Sequence, residues 1–128
     1  MRLLLDTHAL IWWDRDPDKL PRRVRRALQA GANELLLSIA SIWEMQIKQQ
    51  KGTLRLDRPV RATIESQQEQ NGVQVVGLTL PHVWQLAELP LHHGDPFDRI
   101  LISQAKAEGL TLVSRDRIMR KYGVEILW

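Results

Sequence analysis

The chain of 128 residues has no cysteine. Disulfide staples and thiolate metal sites are therefore excluded, and any metal must be held by oxygen or imidazole. That usage fits a reducing cytosol, the expected location. Phenylalanine and tyrosine are almost missing, one of each, although there are five tryptophans. No stretch approaches the roughly 18 apolar residues of a membrane helix. The amino-terminal apolar run is broken at Asp6 and has no secretory signal architecture, so no membrane association is expected. Net charge is only +3, which permits a polyanionic partner without requiring one.

What the chain does have is ordinary for a globular protein: 44% hydrophobic and 26% charged residues. Residues 1–128 are expected to form a single domain. The basic residues are unevenly spread. Arg15 to Arg26 holds six against two acids, and Lys48 to Arg61 holds five against one. These stretches read equally well as solvated helix flanks or as a phosphate-tracking rim.

Apolar runs at Leu3–Leu5, Leu35–Leu37, Val73–Val76, Leu110–Val113 and Val124–Leu127 read as strands. Helical patterns lie between them: "PRRVRRALQAGA" from Pro21, "SIASIWEMQIKQQKG" to Gly52, "RATIESQQEQNG", "LPHVWQLAEL" and "DPFDRILISQAKAEG". The last predicts a helix from Pro96 to Glu108 closed by Gly109. "DRIMRKYG" predicts a further short helix. The alternation predicts a three-layer α/β/α sandwich with a central parallel sheet of about five strands.

Four acids interrupt apolar surroundings. Asp6 follows the first strand and Asp116 the fourth; Glu44 lies on a nearly all-apolar helix face, and Asp98 in the first turn of the Pro96 helix. In a parallel sheet, ligands gather beyond the carboxyl ends of the strands. Each acid also has a structural reading. Asp6 and Asp116 can cap the helices that follow, Asp98 suits a helix start, and Glu44 can pair with a buried arginine. Four carboxylates in one cleft repel unless a cation neutralises them, and hard oxygen donors suit Mg²⁺ or Mn²⁺. In "GDPFDR", Pro96 at the first helical position makes Asp95 the cap and leaves Asp98 for the ligand role, although the two acids compete for it.

The set "LLLDTHALIWW", "SIASIWEMQIKQQKGTL", "HHGDPFDRILISQAKAEGLTLVSRD" and "YGVEILW" resembles the PIN-domain family, in particular the VapC-type toxins of bacterial toxin–antitoxin pairs. The resemblance spans nearly the whole chain. It implies an endoribonuclease dependent on Mg²⁺ or Mn²⁺, with the acidic set on Asp6, Glu44, Asp98 and Asp116. The family's small hydroxyl residues match Thr7 and Ser114. It also implies a homodimer and a small antitoxin that occludes the site.

The chemistry expected is metal-assisted hydrolysis of a phosphodiester in single-stranded or looped RNA. Arg99, Arg115 and Lys48 are candidates for contacting the RNA backbone, while Arg99 and Arg115 serve equally well as charge balance for the acids beside them. His8, His92 and His93 are expected to be exposed, with metal ligation by them as the alternative. Of Trp12 and Trp13, one should be core and the other partly exposed, since they cannot share a helix face. Two rival readings are a catalytically silent binding module and a phosphatase of the haloacid-dehalogenase type. The second needs an aspartate at position 8, which is His8.

Overall fold

The structure, a computed structural model, describes residues 1–128. Its strands are β1 (Arg2–Leu5), β2 (Glu34–Ser38), β3 (Gln74–Val76), β4 (Thr111–Val113) and β5 (Ile126–Leu127). They form one sheet in the order β3-β2-β1-β4-β5, and every neighbouring pair is parallel. The expected five-stranded parallel sandwich is what the chain builds.

β1 lies at the centre, with Leu3 paired to both Leu35 and Thr111. Covered on both faces, it needs an unbroken apolar run rather than an alternating one. Leu3, Leu4 and Leu5 are accordingly fully buried. Leu3 and Leu5 face a core completed by α1 (Thr7–Arg15), α2 (Arg22–Gln29), α3 (Ile39–Gln50) and α4 (Val60–Asn71), through residues such as Leu10, Val24, Met45 and Ile64. Leu4 points the other way, with Leu36 and Leu112. There it meets Leu101, Ile102 and Ala105 of α6 (Pro96–Glu108), which follows the short α5 (Leu80–Gln85). Truncating any of these leucines to alanine would cost about 2–5 kcal/mol.

α6 has the bounds its sequence predicts. Asp95 Oδ1 accepts from the backbone N–H groups of Phe97 (2.9 Å) and Asp98 (3.0 Å), Pro96 takes the first helical position, and Gly109 closes the helix at φ +67°. The expected helix after β4 is a 3₁₀ segment, Arg117–Tyr122, ended by Gly123 at φ +75°. The connection from Val113 to Ile126 is short for a parallel crossover, and the tighter winding fits it.

From β1 the sheet runs to β2 and β3 on one side and to β4 and β5 on the other. The order therefore reverses at β1, and a crevice opens where β1 and β4 end, before Asp6 and Ser114.

Candidate functional site

Asp6 extends the central strand by one backbone hydrogen bond to Val113 O (3.0 Å), then starts α1. Its Oδ1 accepts from the Ala9 N–H at 2.7 Å, so the capping reading is correct as far as it goes. A cap does not require burial, however, and Asp6 is only 8% exposed. Burial pushes its carboxyl pKa up. Hydrogen bonds from the Ser114 hydroxyl and the Ala9 N–H partly offset this, and nearby Glu44 adds to the rise.

Asp116 stands beyond β4 and caps the 3₁₀ segment, its Oδ1 accepting from Ile118 N–H at 3.1 Å. Its own N–H donates to Ser114 Oγ (3.1 Å), so Ser114 bridges the ends of the two central strands. Asp6, Asp116, His8, Trp12, Arg115 and Arg117 line an open cleft. His8 is exposed, as expected.

Glu44 is buried on α3, and both of its oxygens are held. Thr7 Oγ1 donates to Oε1 at 2.6 Å, and Lys48, one turn along, donates to Oε2 at 2.7 Å. The cation that pairs with Glu44 is thus a lysine and not the arginine that the sequence suggested. The spacing i, i+4, with glutamate first, is the favourable one on a helix. The hydrogen bond to Glu44 raises the Lys48 pKa, and the charges of Asp95 and Asp98 add to this. Lys48 therefore sits among the acids.

Asp98 stands one turn into α6. Burial lifts its carboxyl to a pKa of about 6, helped by the charges of Asp95 and Asp6 and opposed by a hydrogen bond to His93. Asp95, by contrast, is exposed and spent on its cap. His93 is only half-buried, contrary to expectation, and its Nε2 lies 3.3 Å from Asp98 Oδ2. Its partner His92 is exposed, as expected.

The chain thus gathers Asp6, Glu44 and Asp98, with Glu44 perturbing Asp6 and Asp6 perturbing Asp98, while Asp116 lines the same cleft as Asp6. They do not form a convergent group of three. No three acidic or imidazole side chains converge on one point, because each carboxylate is turned to its own protein donor. Of the candidate RNA contacts, Arg115 lies on the cleft wall with its guanidinium 5.6 Å from the centre of the Trp12 ring. Arg99 is committed elsewhere, donating to Pro90 O (2.8 Å) and to the Tyr122 hydroxyl (3.2 Å). Trp13 is core and Trp12 partly exposed, as helix geometry requires. Tyr122, remote in sequence, touches this network and had no sequence signal beyond its place in the carboxyl-terminal motif.

Known proteins share this architecture. The family model of the PIN domain matches residues 3–125. Ribonuclease VapC22 of Mycobacterium tuberculosis is 30% identical over 121 residues, 94% of this chain and 91% of that protein. Among solved structures, VapBC2 from Rickettsia felis, bound to a DNA fragment from its promoter, superposes with a TM-score of 0.77 at 16% identity, covering 99% of this chain and 98% of that one. VapBC-1 from nontypeable Haemophilus influenzae gives 0.70 at 16% identity, covering 99% and 97%.

Proposed function

The chain belongs to the PIN-domain family, and from that premise we propose that it is a divalent-metal-dependent endoribonuclease, the toxin of a toxin–antitoxin pair. Residues 1–128 form a single nuclease domain, working in the cytoplasm. The observation that carries this reading is buried Asp6 beside half-buried Asp98 where the strand order reverses, with the charge of Asp6 raising the proton affinity of Asp98. The donors of such a pair are hard oxygens. The residues present therefore fit Mg²⁺ or Mn²⁺. Asp6, Asp98 and Asp116 are the proposed ligands, with Glu44 as a fourth or as a proton acceptor. When bound, the cation screens the phosphate charge and lowers the pKa of water.

The chain's own residues do the rest. Thr7 and Lys48 fix Glu44, Ser114 links Asp6 to Asp116, and Asp95 starts α6 so that Asp98 comes in its first turn. Arg115 and Arg117 on the cleft wall neutralise the RNA backbone, and Lys48 contributes from among the acids. An open cleft admits splayed single strands more readily than a duplex.

The partner is a small antitoxin, and the toxin is a homodimer. Trp43 is 61% exposed, packs edge-on against Phe97 at 5.3 Å, and shares α3 with Glu44. It supplies an apolar anchor for an antitoxin segment that reaches the site.

Incubation with a fluorogenic single-stranded RNA and Mn²⁺ or Mg²⁺ tests the reading. Cleavage that chelation stops and that Asp98→Asn lacks supports it. A chain that binds RNA but never cuts it with either ion would instead be a silent binding module.

A further inference from the structure

We infer that His93 and Tyr122 form a brace that orients the Asp98 carboxylate for a divalent cation, with Tyr122 selecting the imidazole tautomer and His93 holding the acid. The inference rests on the proposed role of Asp98 as a ligand and assigns positioning residues behind it.

Tyr122 Oη has four polar neighbours: His93 Nδ1 at 2.6 Å, the His93 backbone N–H at 3.2 Å, Arg99 Nη1 at 3.2 Å and the His93 carbonyl at 3.5 Å. A phenol has one proton to give and two lone pairs to receive with. The backbone N–H and the guanidinium can only donate, so they fill both lone pairs. The hydroxyl proton must then go to an acceptor, and Nδ1 at 2.6 Å wins over a carbonyl at 3.5 Å. An Nδ1 that accepts leaves the ring proton on Nε2. That nitrogen faces Asp98 Oδ2 at 3.3 Å, so it donates to the carboxylate.

The brace is anchored at each part. Tyr122 is 3% exposed, and Lys106 Nζ donates to its carbonyl at 2.8 Å. The ring of His92 packs edge-on against the phenol at 4.8 Å. Arg99 is fixed in turn by Pro90 O, so α6, the 3₁₀ segment and the loop before α6 meet at one oxygen atom. The Asp98 backbone is already set by the Asp95 cap, which leaves only side-chain torsions for His93 to hold. Oδ2 is the oxygen held, and no protein donor engages Oδ1. Partners of this kind, one bond behind a ligand, typically account for about 10–100-fold in metal affinity.

Two measurements on the full chain test the brace. Nitrogen-15 spectra of the metal-free protein should show His93 as the Nε2–H tautomer, and Tyr122→Phe should mix the tautomers. In Mn²⁺ titrations followed by the electron paramagnetic resonance of free ion, Tyr122→Phe and His93→Leu should each bind roughly tenfold more weakly or worse. His93→Gln, which keeps an N–H near the Nε2 position, should stay within a few-fold of the wild type. A purely structural contact would not be rescued in this way. An Nδ1–H tautomer in a wild-type chain that binds Mn²⁺ overturns the brace alone. So does undiminished Mn²⁺ binding by folded Tyr122→Phe and His93→Leu. A wild type that takes up no Mn²⁺ overturns the metal reading of the site, and the brace with it.

Discussion

The two ends of the sheet handle charge in opposite ways. Where the strands begin, Arg2 pairs with Glu34 at 3.3 Å with both side chains about half exposed, and the terminal amine donates to Asn33 Oδ1 at 2.8 Å. Such pairs lose little hydration and contribute about 0–1 kcal/mol. Where the strands end, Asp6 and Glu44 are 8% and 6% exposed. There desolvation opposes folding, and Thr7, Lys48 and Ser114 are needed to offset it. Both ends carry carboxylates, but only one buries them. Burial of charge that stability does not require is a better pointer to chemistry than the charge itself.

Exchanging one carboxylate at each end should separate them most. Asp6→Asn keeps the cap, since asparagine caps as well as aspartate, yet should slow RNA cleavage about 1,000-fold, ~4 kcal/mol in the transition state. Glu34→Gln should leave the rate unchanged in the same single-turnover assay. The next largest contrast is in thermal melts. Mn²⁺ at about 100 times its Kd should stabilise the wild type and Glu34→Gln by ~2.7 kcal/mol, and the Asp6→Asn, Asp116→Asn double variant not at all. Thr7→Val removes a hydrogen bond to a buried carboxylate and should cost about 2 kcal/mol in urea titrations. Removing Arg2 from its exposed pair should cost less than about 1 kcal/mol.

A smaller effect concerns pH. The Asp98 pKa rises from 3.8 to about 6 on folding, so within that window the folded chain holds more protons here than the unfolded one. Stability of the metal-free protein should therefore fall as pH rises from about 4 to 6, through this carboxyl and, in the same direction, through Asp6. Asp98→Asn should flatten the slope, with a gain on the order of 1 kcal/mol above it. Asp95→Ala removes an exposed cap. Its melt should show a loss of about 1 kcal/mol, with most cleavage retained.

The sheet was legible because strands covered on both faces must be apolar throughout, and Leu3–Leu5 and Leu35–Leu37 stand out as such. The ends of α6 were legible because Asp95, Pro96 and Gly109 act locally, through caps and backbone angles. The four acids could be placed at strand and helix ends for the same reason. Their partners could not. That Glu44 takes Lys48 over an arginine follows from helix spacing, yet that Thr7 completes the pair depends on how α1 meets α3. The tie from Tyr122 to His93 depends on two connections folding back onto one another, which no local pattern encodes. Sequence placed the acids in one cleft. The structure has each resting on its own donor, since unscreened like charges at close range repel.

The position of β1 between β2 and β4 also sets the order of events during synthesis. Asp6 is made well before Asp116 and β4, with β2 and β3 between them. The two are joined only when Leu3 pairs with Thr111 and Leu5 with Val113. A nascent chain that has made β1, β2 and β3 has half a sheet and one bank of the crevice. Contacts this distant along the chain form late. A copy made only as far as β3 therefore lacks the second bank, and the crevice exists only after β4 has been made.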